Sequence, residues 1–507
     1  MHIPGLPVVE ELNPVPDVAQ ALRALTPLPK VLLLDSALRR EPVGRYSFLT
    51  ADPLQHWQLS QPQFGHDPFV PLEACLQQFS TDSVPGLPPF QGGIAGLMGY
   101  ELGRCFERTP AADHDEFQMP VLAAGLYDWV IAWDHRDQKA WLISQGWPET
   151  DPARRLDRAN RRAAVVRDLL ARFGAGPLFG AGLPTPPKRA TEGLLPIGAE
   201  VGDLRSAVSA GSGDPRRTAS DPRRSEAAPQ FPVPGMVGLT SNFTREAYLQ
   251  AVERVIEYIR AGDIFQANLT QRLLFPSTQD AVSLYERLCA VNPAPFAGLM
   301  QWDDWAVISA SPERFLRMDR HEVETRPIKG TRRRKKGPEA DLFTRDELRE
   351  SEKDQAENIM IVDLLRNDLS RVCEAGSIRV PQLCGVESYE TVQHLVSEVR
   401  GRLRADRTVW DLFRATCPGG SISGAPKVRA MEIIAELEPT VRGPYCGSLF
   451  YCGANGQADS NLLIRTFVQR EGWLQCGVGG GIVAQSNPAA EYEETLVKAA
   501  GMIRALV

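Results

Sequence analysis

The stretch TREAYLQAVERVIEYIRAGDIFQANLTQRLLF, residues 244–275, decides how the second half of this chain folds. Thr244 can cap a helix with its hydroxyl, and Tyr248, Val252, Val255, Ile256 and Ile259 recur at helical spacing to make one apolar face. Gly262 ends it. A strand follows at once. In IFQANLTQRLLF, residues 264–275, Gln266, Asn268 and Thr270 share one face while Phe265, Ala267 and Leu269 share the other. A row of polar side chains is thereby expected on a packed sheet.

Upstream of this helix, residues 174–238 are rich in Pro, Gly, Ala, Ser and Arg, as in GLPTPPKRA (182–190) and SAGSGDPRRTASDPRRSEAAP (209–229). So little apolar surface cannot offset chain entropy, and the segment reads as a linker. It divides the chain into residues 1–173 and 239–507. In the first part, VLLLDSA (31–37) and AGLYDWVIAWD (124–134) have strand character and DPARRLDRANRRAAVVRDLLARF (151–173) is helical, but no catalytic pattern is present. At 507 residues with 43% hydrophobic content, sizeable cores are available. A net charge of -7 gives no general attraction to nucleic acid, so any anion site must be built locally. The start, MHIPGLPVVEELNPVP, has no basic region before an apolar run, and no apolar stretch has spanning length. Nine cysteines without CxxC pairs suit reduced core thiols, and the expectation is a cytoplasmic protein without a membrane partner.

Four constellations in residues 239–507 bear on chemistry. In TRPIKGTRRR (325–334), Lys329 stands between Pro327, which restricts its predecessor, and Gly330, which permits close backbone approach. An amine attacks only when neutral, and bringing a lysine from about 10.4 into the neutral range costs several kcal/mol. A divalent cation or the cluster Arg332 to Lys336 would push that way; an ordinary solvated basic run is the other reading. Asp354 and Glu357, and likewise Glu491 and Glu494, are three apart on helical patterns, so that two facing helices can converge hard oxygen ligands on Mg2+. Such ions take one or two carboxylates directly, which assigns Glu357 and Glu494 as ligands with Asp354 and Glu491 acting through water; taken singly, each pair also reads as a solvated helix face. CPGGSISGAPK (417–427) and CGVGGGIVA (476–484) offer unshielded backbone N–H groups of the kind that hold a carboxylate, or plain tight turns, and match no nucleotide fingerprint. Arg465, Tyr451 and His394 are polar residues in strand-like apolar surroundings, suited to clamping an anion or to satisfied burial.

All four occur together in an order that closely resembles the chorismate-utilising enzymes, the family of anthranilate synthase component I, aminodeoxychorismate synthase component I, isochorismate synthase and salicylate synthase. The similar stretches are SASPERF, RPIKGTRRR, AENIMIVDLLRNDL, VQHLVSEV, CPGGSISGAPKVRAMEIIAELEP, IRTF, VGGGIV and AEYEETLVKA, which span nearly all of residues 239–507. LLLDSALRREPVGRYSF and GGIAGLMGYELGR extend the likeness more weakly into the first part. The resemblance implies an α+β fold, antiparallel sheets in a sandwich flanked by helices, with a smaller mixed α/β N-terminal domain. It implies chorismate as substrate and Mg2+ as cofactor. Lysine in the PIxGT motif points to the aminodeoxychorismate branch, and Gln266, where water-adding members carry a lysine base, disfavours water addition.

On that resemblance Lys329 is the nucleophile at C2 and Glu313 the acid for the C4 hydroxyl, with His394 as a further catalytic residue. Arg465, Tyr451 and Gly479, Gly480 and Gly481 would hold the enolpyruvyl carboxylate; Gln266, Ser421 and Lys498 complete the substrate set. No GxCxGxQ-like elbow is present, so ammonia is expected from a separate glutamine amidotransferase. Ser36, Arg45, Tyr46 and Ser47 with Pro293, Ala294, Pro295 and Phe296 resemble the family's tryptophan pocket, or simply pack a domain interface. The alternatives are anthranilate synthase component I and a non-catalytic chorismate-binding subunit.

Overall fold

The structure is a computed structural model that describes residues 7–40, 43–79, 81–174, 227–335, 337–389 and 392–506. Two large antiparallel sheets form its body. The first runs Val8–Glu11, Lys139–Ser144, Trp129–Asp134, Tyr46–Thr50, Val31–Asp35, Phe296–Trp302, Trp305–Ser311, Thr466–Arg470, Trp473–Ile482, Gln266–Pro276, Thr240–Ser241 and Phe231–Pro232, with Gly424–Ala425 beside Gln266–Pro276. The second runs Ile328–Arg333, Val392–Arg402, Glu322–Thr325, Arg314–Asp319, Ala458–Asn461, Ser448–Gly453, Gly93–Met98, Leu122–Tyr127 and Gln55–Leu59, with Arg379–Ser388 on Val392–Arg402.

Both sheets are shared between the two halves of the sequence. Leu33 pairs with Leu299 in one, and Leu97 with Leu449 in the other. The expected separate N-terminal domain is instead part of a joint sandwich, since hydrogen-bonded ladders and not a mere interface join it to the rest. Between the sheets, Leu32, Met300, Val307 and Val468 meet Ala95, Leu97, Ala123 and Leu449. Helices cover the outer faces: Val18–Leu25 and Ala281–Val291 on the first sheet, Glu352–Ser370 and Val409–Thr416 on the second. This is the α+β sandwich flanked by helices that the sequence led us to expect. Among the described residues no helix is long and apolar enough to cross a membrane.

The helix Arg245–Arg260 forms as its pattern dictates. Thr244 accepts from the Ala247 N–H at 3.0 Å, Tyr248, Val252, Val255 and Ile256 are buried, and Gly262 at φ +85° ends the turn. The strand after it differs on one point: Phe265 lies just before Gln266–Pro276 and is 69% exposed, while Gln266 to Leu273 are buried on both faces. Helices 245–260 and 427–437 pack on one side of this strand, and the turn 420–422 reaches it through Asn268. Of the expected linker, residues 175–226 lie outside the described residues. Its last part does not behave as a linker, because Ala228 and Val233 are buried, Phe231–Pro232 is a strand, and the Ala228 N–H donates to Glu116 at 2.8 Å. The aromatic and branched residues near its end supply the apolar area that residues 182–226 lack.

Candidate active site

Lys329 sits on Ile328–Arg333, an edge of the second sheet, where the pairing with Val392–Arg402 shifts register between Lys329 and Thr331. Gly330, at φ +71°, makes that bulge. A β-carbon on Gly330 would lie 2.9 Å from Leu348 and 3.0 Å from Asp354. Gly330→Ala is expected to cost about 1–3 kcal/mol of stability and to turn the Lys329 side chain, lowering turnover at least tenfold; thermal melts beside steady-state rates would check both. The Lys329 Nζ donates to the Ser421 carbonyl at 3.1 Å. Burial lowers its pKa, aided by Lys498 and opposed by Glu357, Glu313 and Glu494. The basic run is not the cause. Arg332 is taken up by Asp354 and Glu347, Arg334 by Asp341, and Lys336 lies outside the described residues.

Ser421 lies on the short turn Gly420–Ile422, and its two oxygens serve two partners. While its carbonyl accepts from Lys329, its hydroxyl donates to Glu313 Oε1 at 2.9 Å. Glu313 is 5% exposed, and burial pushes its carboxyl up to about 7 against the pull of Ser421 and Lys329. An amine whose pKa burial lowers thus stands beside a carboxyl whose pKa burial raises. His394 is buried, with Nδ1 2.8 Å from the Thr331 hydroxyl; burial and Arg465 lower its pKa to about 3, so it is neutral in solution near pH 7. Arg465 stands at φ +51°, beside His394, and its guanidinium has no acceptor among the described residues. Such a group is ready for an anion.

From the first sheet come Gln266 and the strand Trp473–Ile482. Gln266 is wholly buried, yet both ends of its carboxamide lack a partner among the described residues. It lies against Gly481, where a β-carbon would stand 1.8 Å from Nε2, so glycine is what leaves it room. Gly480 faces the helix Pro488–Ile503: a β-carbon there would lie 3.5 Å from Glu491, 3.6 Å from Glu494 and 3.6 Å from Lys498. Lys498 donates to the Gly479 carbonyl at 2.7 Å and pairs with Glu494 at 2.8 Å.

The carboxylates come together less tightly than their spacing suggested. Among the described residues no three His, Cys, Asp or Glu side chains form a metal cage. Lys353 bridges Glu491 at 3.5 Å and Glu357 at 3.9 Å, Ser486 donates to Glu491 at 2.7 Å, and Asp354 is held by Arg332 at 3.0 Å. Burial raises the Glu357 pKa, with Asp354 and Glu491 adding to it. At Glu494 burial would do the same, but Lys498, Lys353 and Lys329 prevail and lower it. Carboxylate oxygens of Glu357, Glu491 and Glu494, each facing a lysine ammonium, are of the hard donor type that a divalent cation takes.

Tyr451 is not part of this constellation. Its ring stacks on Phe90 at 4.8 Å and meets Phe48 edge-on at 5.4 Å, because its parity on Ser448–Gly453 points it between the sheets. The tyrosine beside the glycine strand is Tyr445, whose ring fills the place where a Gly477 β-carbon would be, 2.2 Å away. A glycine opposite a buried aromatic was the available signal. The N-terminal set does assemble: Ser36 Oγ donates to the Tyr46 carbonyl at 2.7 Å and Pro295 carbonyl at 3.3 Å, Ser47 Oγ accepts from the Ser36 N–H at 3.1 Å, and the Leu38 N–H donates to Ala294. Pro293 precedes that residue, and the Phe296 ring lies under Arg314 at 4.8 Å. Arg45 instead turns to Asp134 at 2.7 Å.

Residues 203–504 match the family model for the chorismate binding enzyme. Aminodeoxychorismate synthase component 1 of Klebsiella aerogenes is 36% identical over 496 residues, 95% of each chain, and anthranilate synthase component 1 of Thermus thermophilus is 39% identical over 438 residues, 86% of this chain and 82% of that one. Among solved structures, anthranilate synthase component I from Streptococcus pneumoniae superposes with a TM-score of 0.69 at 26% identity, covering 92% of this chain and 93% of the other. The chain belongs to the chorismate-binding enzyme family, as a chorismate-utilising enzyme of the aminodeoxychorismate and anthranilate synthase component I group.

Proposed function

We propose that this chain is an aminodeoxychorismate synthase component I, converting chorismate and ammonia to 4-amino-4-deoxychorismate for 4-aminobenzoate and folate synthesis. The observation that carries the reading is the pairing of Lys329 and Glu313 across Ser421, an amine with a lowered pKa beside a carboxyl with a raised one. Lys329 Nζ bonds to C2 of chorismate as the two ring double bonds shift and the C4–O bond breaks. Glu313 gives its proton to the departing hydroxyl, which leaves as water. The new secondary ammonium keeps its proton. Ammonia adds at C4 with the reverse shift, the lysine departs from C2 as the neutral amine, and the ammonium formed at C4 returns a proton to Glu313. Arg465, Gly481 and the open carboxamide of Gln266 receive the substrate's carboxylate side, and neutral His394 supplies a hydrogen bond without adding charge.

Glu357 and Glu494 would hold Mg2+, with Glu491 and Asp354 acting through water. When bound, the ion would neutralise the ring carboxylate. Glu494→Gln is expected to weaken Mg2+-dependent chorismate binding at least tenfold, read by calorimetry with and without the ion. Ammonia comes from a glutamine amidotransferase partner, and the nine free cysteines accord with a cytoplasmic setting. The Ser36, Tyr46, Ser47 and Pro295 cluster is proposed as a tryptophan pocket, with Arg45, Pro293, Ala294 and Phe296 at its border. Incubation with chorismate, Mg2+ and ammonium at alkaline pH, followed by product separation, tests the whole reading. Anthranilate as product would move the chain to the other branch, and chorismate binding without turnover would make it a regulatory subunit.

A further inference from the structure

Behind the turn Gly420–Ile422 lies an ion pair that takes no part in the chemistry described. Arg442 and Glu438 are 2% and 3% exposed, joined at 2.6 Å and 2.8 Å. A pair so deeply buried is a poor source of stability, since desolvating both charges offsets most of their attraction. Its remaining side-chain hydrogen bonds converge on the back of the site. Arg442 donates to the Ile422 carbonyl at 2.9 Å and to the Asn268 carbonyl at 2.8 Å, and Glu438 accepts from the Thr270 N–H at 2.9 Å. Asn268 in turn donates its side-chain amide to the Ser421 carbonyl at 2.8 Å, the oxygen that also accepts from Lys329. The guanidinium rests on the Tyr100 ring at 4.5 Å.

The pair is itself held from the N-terminal half. Glu101 accepts from the Arg442 N–H at 2.8 Å and from the Gly443 N–H at 2.9 Å, and the Tyr100 N–H donates to the Gly443 carbonyl at 2.8 Å. We propose that Arg442 and Glu438, clamped by Glu101, are positioning residues that fix the Ser421 turn from behind and so aim Lys329 and Glu313 together. The Ser421 carbonyl occupies one N–H of the amine and leaves its lone pair toward the substrate. The Ser421 hydroxyl occupies Glu313 Oε1 and, with the Ile328 N–H, fixes the orientation of the carboxyl that carries the transferable proton. Guanidinium geometry is required because one head must reach two carbonyls and a carboxylate in a plane, which an ammonium cannot do.

This inference rests on the lysine-adduct reading above. The experiment compares Arg442→Lys and Glu101→Gln with wild type in the full chain. It measures kcat and KM for chorismate with ammonium, the rate of adduct formation without ammonia by quenched intact mass, and thermal melting. Arg442→Lys is expected to lower kcat and the adduct rate at least thirtyfold with KM within threefold. Glu101→Gln, a milder change that keeps one of the two acceptors, is expected to lower both three- to tenfold with KM and melting unchanged. Unaltered adduct rates, or losses that merely track the folded fraction, overturn the proposal. Should Arg442→Lys fail to fold, Glu101→Gln decides alone. Wild-type protein that forms no adduct sinks the lysine reading instead, whereas a normal wild-type adduct with unaffected variants sinks only the positioning role.

Discussion

Replacing Lys329 by alanine is expected to lower formation of 4-amino-4-deoxychorismate by about a thousandfold or more, the scale on which loss of a covalent nucleophile acts, while chorismate still binds. The amine is held by one hydrogen bond to Ser421, whose carbonyl also accepts from Asn268, so its removal leaves only a small void at a partly open edge of the sheet, not a collapsed core. A melt within a few degrees of wild type is therefore expected. The diagnostic measurement is the mass of protein quenched after chorismate but before ammonia: wild type should carry a substrate-derived increase on the peptide containing Lys329, and the variant none. Lys329→Arg separates charge from nucleophilicity, because a guanidinium keeps its proton in water and cannot attack. It should be as inactive as alanine. Undiminished product from either variant would end the covalent reading and leave direct ammonia attack.

Much of the site was legible because its chemistry is local in sequence. Lys329 with Gly330, the two carboxylate pairs and the glycine run each occupy a few residues, and secondary structure alone brings those residues to one face. The helix and strand at 244–276 were legible for the same reason. What the sequence left out depends on which strand lies beside which. Periodicity says which face of Val31–Asp35 is buried but not that Phe296–Trp302, more than 250 residues on, is its neighbour, so the joint sandwich looked like two domains. Tyr451 and Tyr445 differ by strand parity and by a turn at Cys446, which stands at φ +65°, and an apolar context cannot tell them apart. Glu438 and Arg442, four apart, look like any solvated pair. They are buried between the strand Gln266–Pro276, the turn Gly420–Ile422 and the N-terminal segment Tyr100–Cys105, the last a contact across more than 300 residues.

Exchanging Glu313 for glutamine is expected to lower kcat by a hundredfold to ten-thousandfold with KM nearly unchanged, because the amide keeps the Ser421 hydrogen bond but has no proton to give. The pH dependence carries a sign that a structural role does not share. Glu313 is raised by burial from 4.5 to about 7, so the wild-type acid is protonated below that pH and is lost above it, and kcat should fall on the alkaline side. Lys329 is lowered by burial, so the neutral amine appears as pH rises, at a lower pH than for a free lysine. The adduct step is then bell-shaped, and its alkaline limb belongs to Glu313. In the glutamine variant that limb should disappear and the residual rate should only rise with pH. Stability provides an independent check. A carboxyl whose folded pKa lies above its unfolded value stabilises the fold fully below pH 4.5 and loses that contribution as pH climbs through about 7, by about 3 kcal/mol for this gap. Glu313→Gln should therefore flatten the fall in unfolding free energy across that window, read from denaturant midpoints at pH 4 and pH 8. A variant that kept both the alkaline limb and the slope would place the proton donor elsewhere.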